Sequence, residues 1–443
     1  MLSVGLDVGT TSTQMVVSKL RVRNKASGFA VPEMEITDRE ILYQSPIHFT
    51  PLLDESHVDG EALEALILEE YRRAGITRDN VDTGAVIVTG ETSRKENAQA
   101  VTEALSRLSG DFVVTTAGPD LESVLAARGS GAVSYSEKTG KTLLHMDIGG
   151  GTANLALIRK GNIEATGCLN VGGRLVKFAP NGEMTYVSPV LSGLWQGGAT
   201  EELAKELAET LEAAAGLGES PWLETLTTSG TAPLPLNAPG EKVIPSFSGG
   251  VADCIRGDFP PRAFGDIGPE LGRAIRESRL CQGEYYLAEH TIRATVIGAG
   301  CHSALLSGST VFCQNGRLPK QNLTVVKLSR EQQERIGEAL PGRISAIEGP
   351  WVLALPGYAA PDYKTVAALA DRLFTFAKKG PMLICLEADM AKALGQALAL
   401  RVGQAAEILC IDRVKLSEDQ YLDIGLPQGP AFPVVVKTLV FGA

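Results

Sequence analysis

The strongest constraint on the fold of this chain is a short motif that occurs twice. The amino terminus reads "GLDVGTTSTQMVV", and residues 145–158 read "HMDIGGGTANLALI". Laying Asp7 on Asp147 also lays Val8 on Ile148, Gly9 on Gly149 and the Ser12 hydroxyl on that of Thr152. Each copy is acid, apolar residue, glycine, then hydroxyl, with apolar runs on both sides, so each is expected to form a strand–turn–strand hairpin. One copy alone does not distinguish a phosphate-holding turn from a tight glycine hairpin. Two copies 140 positions apart, a domain-sized interval, predict two related domains that present their hairpins to one cleft.

The residue types in these turns suit a phosphate ligand. Backbone N–H groups around Gly9 and around Gly149, Gly150 and Gly151 form anion-binding nests, and the hydroxyls of Thr10, Thr11 and Thr152 donate to phosphate oxygens. Asp7 and Asp147, approaching from opposite sides, can hold magnesium through its bound waters.

Composition narrows the partners. The 443 residues carry a net charge of −11, with 44% hydrophobic and 21% charged content, and the pI is near 5.2. Without a Lys/Arg cluster this balance argues against nucleic acid or an anionic membrane as the main partner. No apolar run approaches membrane-spanning length, and Asp7 interrupts the start too early for a signal peptide, so a cytoplasmic protein is expected. The seven cysteines are isolated in sequence and are expected to be buried reduced thiols.

Two other strings fail as motifs. "GKT" at 140–142 has Tyr135 where a P-loop needs its first glycine, and it leads into an apolar strand rather than a helix. "VIGAGCHS", from Val296, places Ser303 at the third glycine of a dinucleotide fingerprint, and a turn between strand and helix is expected there instead.

Between the hairpins the pattern alternates. Asp59-Gly60 starts a helix with Leu63, Leu66, Ile67 and Tyr71 on one face, "GAVIVTG" reads as a strand, residues 98–108 as a helix, and "DFVVTTAG" as a strand. "PDLESVLAARG" reads as a helix begun by Pro119. After the second hairpin come an amphipathic helix over 200–215 and "VIPSFSGGVADCI", a strand that enters a helix through Gly249-Gly250. Such a turn lets the backbone approach a flat ligand closely, which makes Ser248, Gly249, Gly250 and Val251 candidates for the adenosine side of a nucleotide. The expected fold is α/β, divided into 1–140, 141–290 and a C-terminal α/β region over 291–443. That last region carries no visible site chemistry.

In this order, Asp7-Val-Gly-Thr-Thr, "AVIVTGETSRKENA", Asp147-Ile-Gly-Gly-Gly-Thr and Ser248-Gly-Gly-Val-Ala resemble the actin, sugar kinase and heat-shock chaperone ATPase superfamily. More closely, "SPIHFTPL", "TAGPDLESVLAARGSGA" and "YLDIGLPQGPAFPVVVKTLVF" resemble the ethanolamine ammonia-lyase reactivating factor (EutA) family over nearly the whole chain. The resemblance implies two mixed-sheet domains around a nucleotide cleft. It also implies a chaperone-like, weak ATPase that uses ATP and Mg²⁺ to release damaged cobalamin from ethanolamine ammonia-lyase, so that adenosylcobalamin can enter. Contact with cobalamin would be indirect, through the lyase. The setting implied is the cytoplasm in association with an ethanolamine-utilisation microcompartment, and a homodimer is left open.

Two departures bear on catalysis. The superfamily's chaperones carry an Asp where this chain has Asn154, and a Glu where it has Gly118. Loss of a group that orients the attacking water leaves binding intact and slows hydrolysis, and Asn154→Asp is expected to raise the rate. Asp120, beside Pro119, is the nearest substitute, although an Asp there also suits the helix dipole. On the same scaffold a small-molecule kinase or a nucleotide-switched scaffold protein are the alternatives. A kinase would need a catalytic Asp in a substrate pocket, and a polymerising scaffold would form filaments with ATP.

Overall fold

A computed structural model describes residues 1–9, 12–24, 34–54, 57–77, 80–88, 113–116, 119–228, 242–302, 304–307, 310–345, 347, 349–418, 420–427 and 431–438. Thr10, Thr11, Gly118 and the helix expected over 98–108 lie outside the described residues.

The first sheet is built from β1 (Leu2–Val8), β2 (Ser12–Asn24), β3 (Met34–Gln44), the short β4 (His48–Phe49), β5 (Thr83–Val88) and β6 (Val113–Thr116). β3, β2 and β1 run as an antiparallel meander, and β5 and β6 extend it in parallel beside β1, giving the order β3-β2-β1-β5-β6. Helix α1 (Gly60–Arg73) covers this sheet and is capped by Asp59, which accepts from Ala62 N. Leu63, Ile67 and Tyr71 form its buried stripe. Helices α2 (Pro119–Gly129) and α3 (Ala132–Thr139) then carry the chain across to a second sheet.

That sheet repeats the first. β7 (Thr142–Ile148), β8 (Ala153–Arg159) and β9 (Asn162–Leu169) form an antiparallel meander. The small hairpin β10 (Val176–Phe178) and β11 (Met184–Val187), then α4 (Thr200–Ala214), precede β12 (Val243–Ser248). Helices α5 (Gly250–Arg256) and α6 (Gly268–Glu277) follow, then β13 (Tyr286–Leu287). β12 and β13 add in parallel beside β7, so the order β9-β8-β7-β12-β13 matches that of the first sheet strand for strand. Even the hairpin registers agree, with Asp7 opposite Gln14 and Asp147 opposite Asn154.

Helix α7 (Ala294–His302) returns the chain to the first lobe, where it packs on β1, β2 and β5, while α2 packs on β8 and β9 of the second. The two helices cross each other at glycines. A Cβ at Gly129 would lie 1.9 Å from Ala294 O, and one at Gly298 would lie 2.1 Å from Leu125 O. "VIGAGCHS" is therefore mostly helix rather than the expected turn. Its glycines serve close packing between helices, and Gly300 also backs onto Gly5 of β1. Overpacking against rigid backbone costs about 1–3 kcal/mol or more. Gly129→Ala is accordingly expected to lower the thermal midpoint, whereas Gly60→Ala, with nothing within 4 Å of its Cβ, leaves it unchanged or higher in the same melting experiment.

The remaining chain forms an eight-stranded sheet from β14 (Ala304–Leu306), β15 (Phe312–Gln314), β16 (Lys320–Lys327), β17 (Trp351–Leu355), β18 (Met382–Leu386), β19 (Ile408–Asp412), β20 (Gln420–Ile424) and β21 (Pro433–Thr438). Its order is β14-β21-β20-β16-β17-β18-β19-β15, with β16 to β19 parallel. β14 and β15 stand at opposite ends of this order yet are only six residue steps apart, a reach of about 20 Å, so the sheet curls back on itself. Its parallel strands are buried on both faces. Val352 and Leu409 point into the curl, while Leu353 and Ile384 meet α8 (Tyr363–Ala377) and α9 (Ala391–Val402) outside.

Candidate functional site: a cleft between paired hairpins

The two hairpins meet at one cavity of about 710 Å³. Its wall includes Asp7, Gly9 and Ser12 from the first lobe and Asp147, Gly149, Gly150, Gly151 and Thr152 from the second. Each turn is closed in the same way: Gly9 N donates to Ser12 O, and Gly149 N donates to Thr152 O, both at 2.9 Å. Gly249, Gly250 and Val251 line the same cavity from the β12–α5 turn. Gly249 has φ +84°, and a Cβ there would meet Ile148 O at 2.3 Å, so this close approach of β12 to β7 requires glycine.

Ser248 is placed differently from expectation. It is fully buried and absent from the cavity wall, and its hydroxyl donates to Asp147 Oδ1. Behind it lies a buried chain of polar groups. Since the Ser248 proton is given to Asp147, its oxygen accepts from His145 Nε2 at 2.9 Å, and His145 Nδ1 accepts from Ser246 at 2.9 Å. Burial holds His145 neutral, pushing its pKa down to about 3. Asp147 is also lifted by burial, to about 6, against the hydrogen bonds of Ser248 and Thr295 that favour its charged form. Ser248 thus meets Asp147 and not the cavity wall.

Asp120 also departs from expectation. It lies exposed on the first turn of α2, accepts from Thr166 Oγ1 at 2.5 Å and does not line the cavity. Glu122, two residues on and therefore on the opposite side of the helix, does line it. Glu122 is 8% exposed and accepts from Asn154 Nδ2 at 2.9 Å. Sequence reading missed this acid, although Glu122, Leu125, Ala126 and Gly129 recur at helical spacing along the buried face.

The cavity wall carries five acids, Asp7, Glu122, Asp147, Asp253 and Asp266, against two bases, Arg174 and Arg256. An anion enters such a wall only with a cation. Among the described residues no three His, Cys, Asp or Glu side chains form a direct cage for a metal. The side-chain oxygens of Gln14 and Asn154, both in the wall, are buried acceptors without a donor among the described residues. Waters on a hydrated magnesium would supply such donors, so the residues fit an ion held through water and phosphate between Asp7 and Asp147.

Among the described residues, Cys254 is the one cysteine in the cavity wall. Cys168, Cys254, Cys385 and Cys410 are buried as expected, whereas Cys281 is half-buried and Cys313 is exposed. No helix among the described residues is long and apolar enough to cross a membrane.

Two sheets of one topology, each turning a glycine hairpin and an acid into a shared cleft, define a mixed α/β module of the actin-like ATPase class. The chain belongs to the family described as Ethanolamine utilisation protein EutA, whose model matches residues 1–442. It is 38% identical over 470 residues to the ethanolamine ammonia-lyase reactivase EutA of Escherichia coli, covering 100% of this chain and 98% of that one. It is 36% identical over 466 residues to the protein of the same description from Salmonella typhimurium, with the same coverage. Among solved structures, a Ppx/GppA family member from Aquifex aeolicus is similar at a TM-score of 0.43 and 12% identity, over 67% of this chain and 96% of that one.

Proposed function

We propose that this chain is a reactivating factor for an ethanolamine ammonia-lyase, driven by ATP and Mg²⁺ bound between its two lobes. The reading is carried by one observation, the convergence of Asp7 and Asp147 on a single cavity, in a chain whose full-length relatives are named as reactivases of that lyase. In this reading Gly9, Thr10, Thr11 and Ser12 face phosphate from one side and Gly149 to Thr152 from the other. Gly249, Gly250 and Val251 lie beside adenosine, and Ser248 acts only through Asp147. Magnesium, when bound, offsets phosphate charge between the two aspartates. Glu122, held by Asn154 at the cavity wall, is the acid assigned to take a proton from an attacking water, and turnover is expected well below about ten per second.

A clamp that closes on nucleotide does work on a partner only by binding it with different affinity in its two shapes. Closure coupled to an opened form of the lyase would let damaged cobalamin leave and adenosylcobalamin enter, without covalent chemistry by this chain. The contact with cobalamin is indirect, and the setting is the cytoplasm alongside an ethanolamine-utilisation microcompartment. To test this, ethanolamine ammonia-lyase is inactivated with cyanocobalamin, then mixed with this protein, ATP, Mg²⁺ and fresh adenosylcobalamin, and acetaldehyde production is followed. Recovery that needs ATP supports the reading, and equal recovery without ATP overturns it.

The elevated Asp147 also gives a pH signature. Its folded pKa, about 6, is above the ordinary aspartate value of 3.8, so its contribution to stability of the nucleotide-free fold is lost as pH rises from about 4 through 6. Cation binding needs the ionised form and has the opposite slope. The shift in melting temperature produced by Mg-ATP is therefore expected to grow between pH 5 and 7, as read by differential scanning fluorimetry at fixed ligand concentration.

A further inference from the structure

The segment that follows β9 is built against the second hairpin with unusual closeness. A Cβ at Gly172 would fall 2.4 Å from Gly150 O, and one at Gly173 would fall 3.0 Å from Gly268 Cα. Gly173 N donates to Gly149 O at 3.0 Å and Arg174 N donates to Gly150 O at 2.6 Å. Residues 172–174 thus move with the glycine turn that the nucleotide reading assigns to phosphate. The stem of Arg174 crosses that turn, its Cδ lying 3.2 Å from where a Cβ on Gly150 would stand. Its side chain is 36% exposed and lines the cavity.

The guanidinium is only partly engaged. Arg174 Nε donates to Asp266 Oδ2 at 3.2 Å, a single prong of a group that grips carboxylate or phosphate with two. Asp266 is 6% exposed, and its other oxygen, Oδ1, accepts from Gly268 N on the first turn of α6 at 2.9 Å. Helix α6 is in turn packed tightly on α5, since a Cβ at Gly272 would fall 2.4 Å from Cys254 Cβ. The other cavity arginine, Arg256, is committed to Ala288 O at 2.8 Å.

We propose that Arg174 reads the terminal phosphate of the bound nucleotide, and that by turning from Asp266 to that phosphate it reports triphosphate against diphosphate to α6. This inference rests on the nucleotide reading of the cleft. A triphosphate brings a doubly bonding partner within the arc of an arm whose root is fixed at Gly150. A diphosphate, lacking the outermost group, leaves the arm on Asp266. The buried Asp266 then keeps or loses the guanidinium that bonds it at the start of α6 according to the nucleotide.

The test is calorimetric titration of ATP and ADP, each with Mg²⁺, into wild type, Arg174→Gln, Arg174→Lys and Asp266→Asn, with a thermal melt of each protein. Wild type is expected to favour ATP. Arg174→Gln is expected to keep its ADP affinity and lose about tenfold to a hundredfold for ATP, the scale of a charged hydrogen-bond pair. Arg174→Lys, which keeps charge without the fork, falls between. Asp266→Asn, which frees the arm, binds ATP at least as tightly as wild type. If Arg174→Gln and Arg174→Lys weaken ATP and ADP alike, or neither, the pair is structural and the inference is overturned while the cleft reading stands. A wild-type protein that binds neither nucleotide overturns both.

Discussion

Glu122→Gln is expected to reduce ATP turnover by about a hundredfold to ten-thousandfold, the contribution of a positioned general base, while Mg-ATP affinity stays within about threefold. The glutamate sits at the cavity wall on the first turn of α2, buried and held from one side by the Asn154 amide at 2.9 Å. The amide replacement keeps shape and removes only the capacity to accept a proton. Phosphate release under single-turnover conditions, set beside calorimetric affinity, separates the two quantities. An unchanged rate would place the base elsewhere. The same geometry reverses an expectation drawn from sequence, that Asn154→Asp raises the rate. That substitution would set a second carboxylate at hydrogen-bond distance from Glu122, and two such groups share a proton rather than both ionising. It is now expected to slow hydrolysis at neutral pH.

The second large effect concerns the paired aspartates. Asp7→Asn or Asp147→Asn is expected to weaken Mg-ATP binding by about tenfold to a hundredfold, the range for losing a group that holds a metal through its outer sphere. The double variant should bind no nucleotide at working concentrations and restore no lyase activity. Stability should not follow suit. A buried Asp147 that burial already pushes toward its neutral form is an electrostatic burden on the nucleotide-free fold, so Asp147→Asn is expected to melt at the wild-type temperature or above at pH 8. Titration calorimetry and a melting curve on the same sample decide it. Unchanged affinity in both single variants would remove the basis for a cleft that binds between hairpins.

Much of this site could be read from the chain because its essential parts are local. An acid, a glycine and a hydroxyl within one turn declare themselves, and the equality of the two copies adds what neither has alone. The strand entering a helix through Gly249-Gly250 is equally local. Arg174 was not legible, since its role depends on Gly172 meeting Gly150, an approach made by tertiary packing between positions 22 apart. Asp120 and Glu122 look alike in the sequence, two acids in the first turn after Pro119, and only helical phase sends one to solvent and the other inward. Helix α7 has no distinct signal in the sequence because glycines in an apolar run signal reversal as readily as close helix contact. The curl of the C-terminal sheet had no local signal, as the order of its strands is set by which edges meet.

The crossing of α2 and α7 has a mechanical side. Both helices begin at the cleft, α2 through Glu122 and α7 through Thr295, and both are pinned further on, α2 about two turns along at Gly129 and α7 about one turn along at Gly298. A pinned rod is a lever. One helical turn is about 5 Å, so a 1 Å displacement of the Thr295 end about Gly298 swings α7 by about 11°. The far end of α7 runs, after a single residue, into β14 at one margin of the curled sheet. A tilt of α7 at the cleft would thus be handed to one margin of the C-terminal sheet, a region without chemistry of its own.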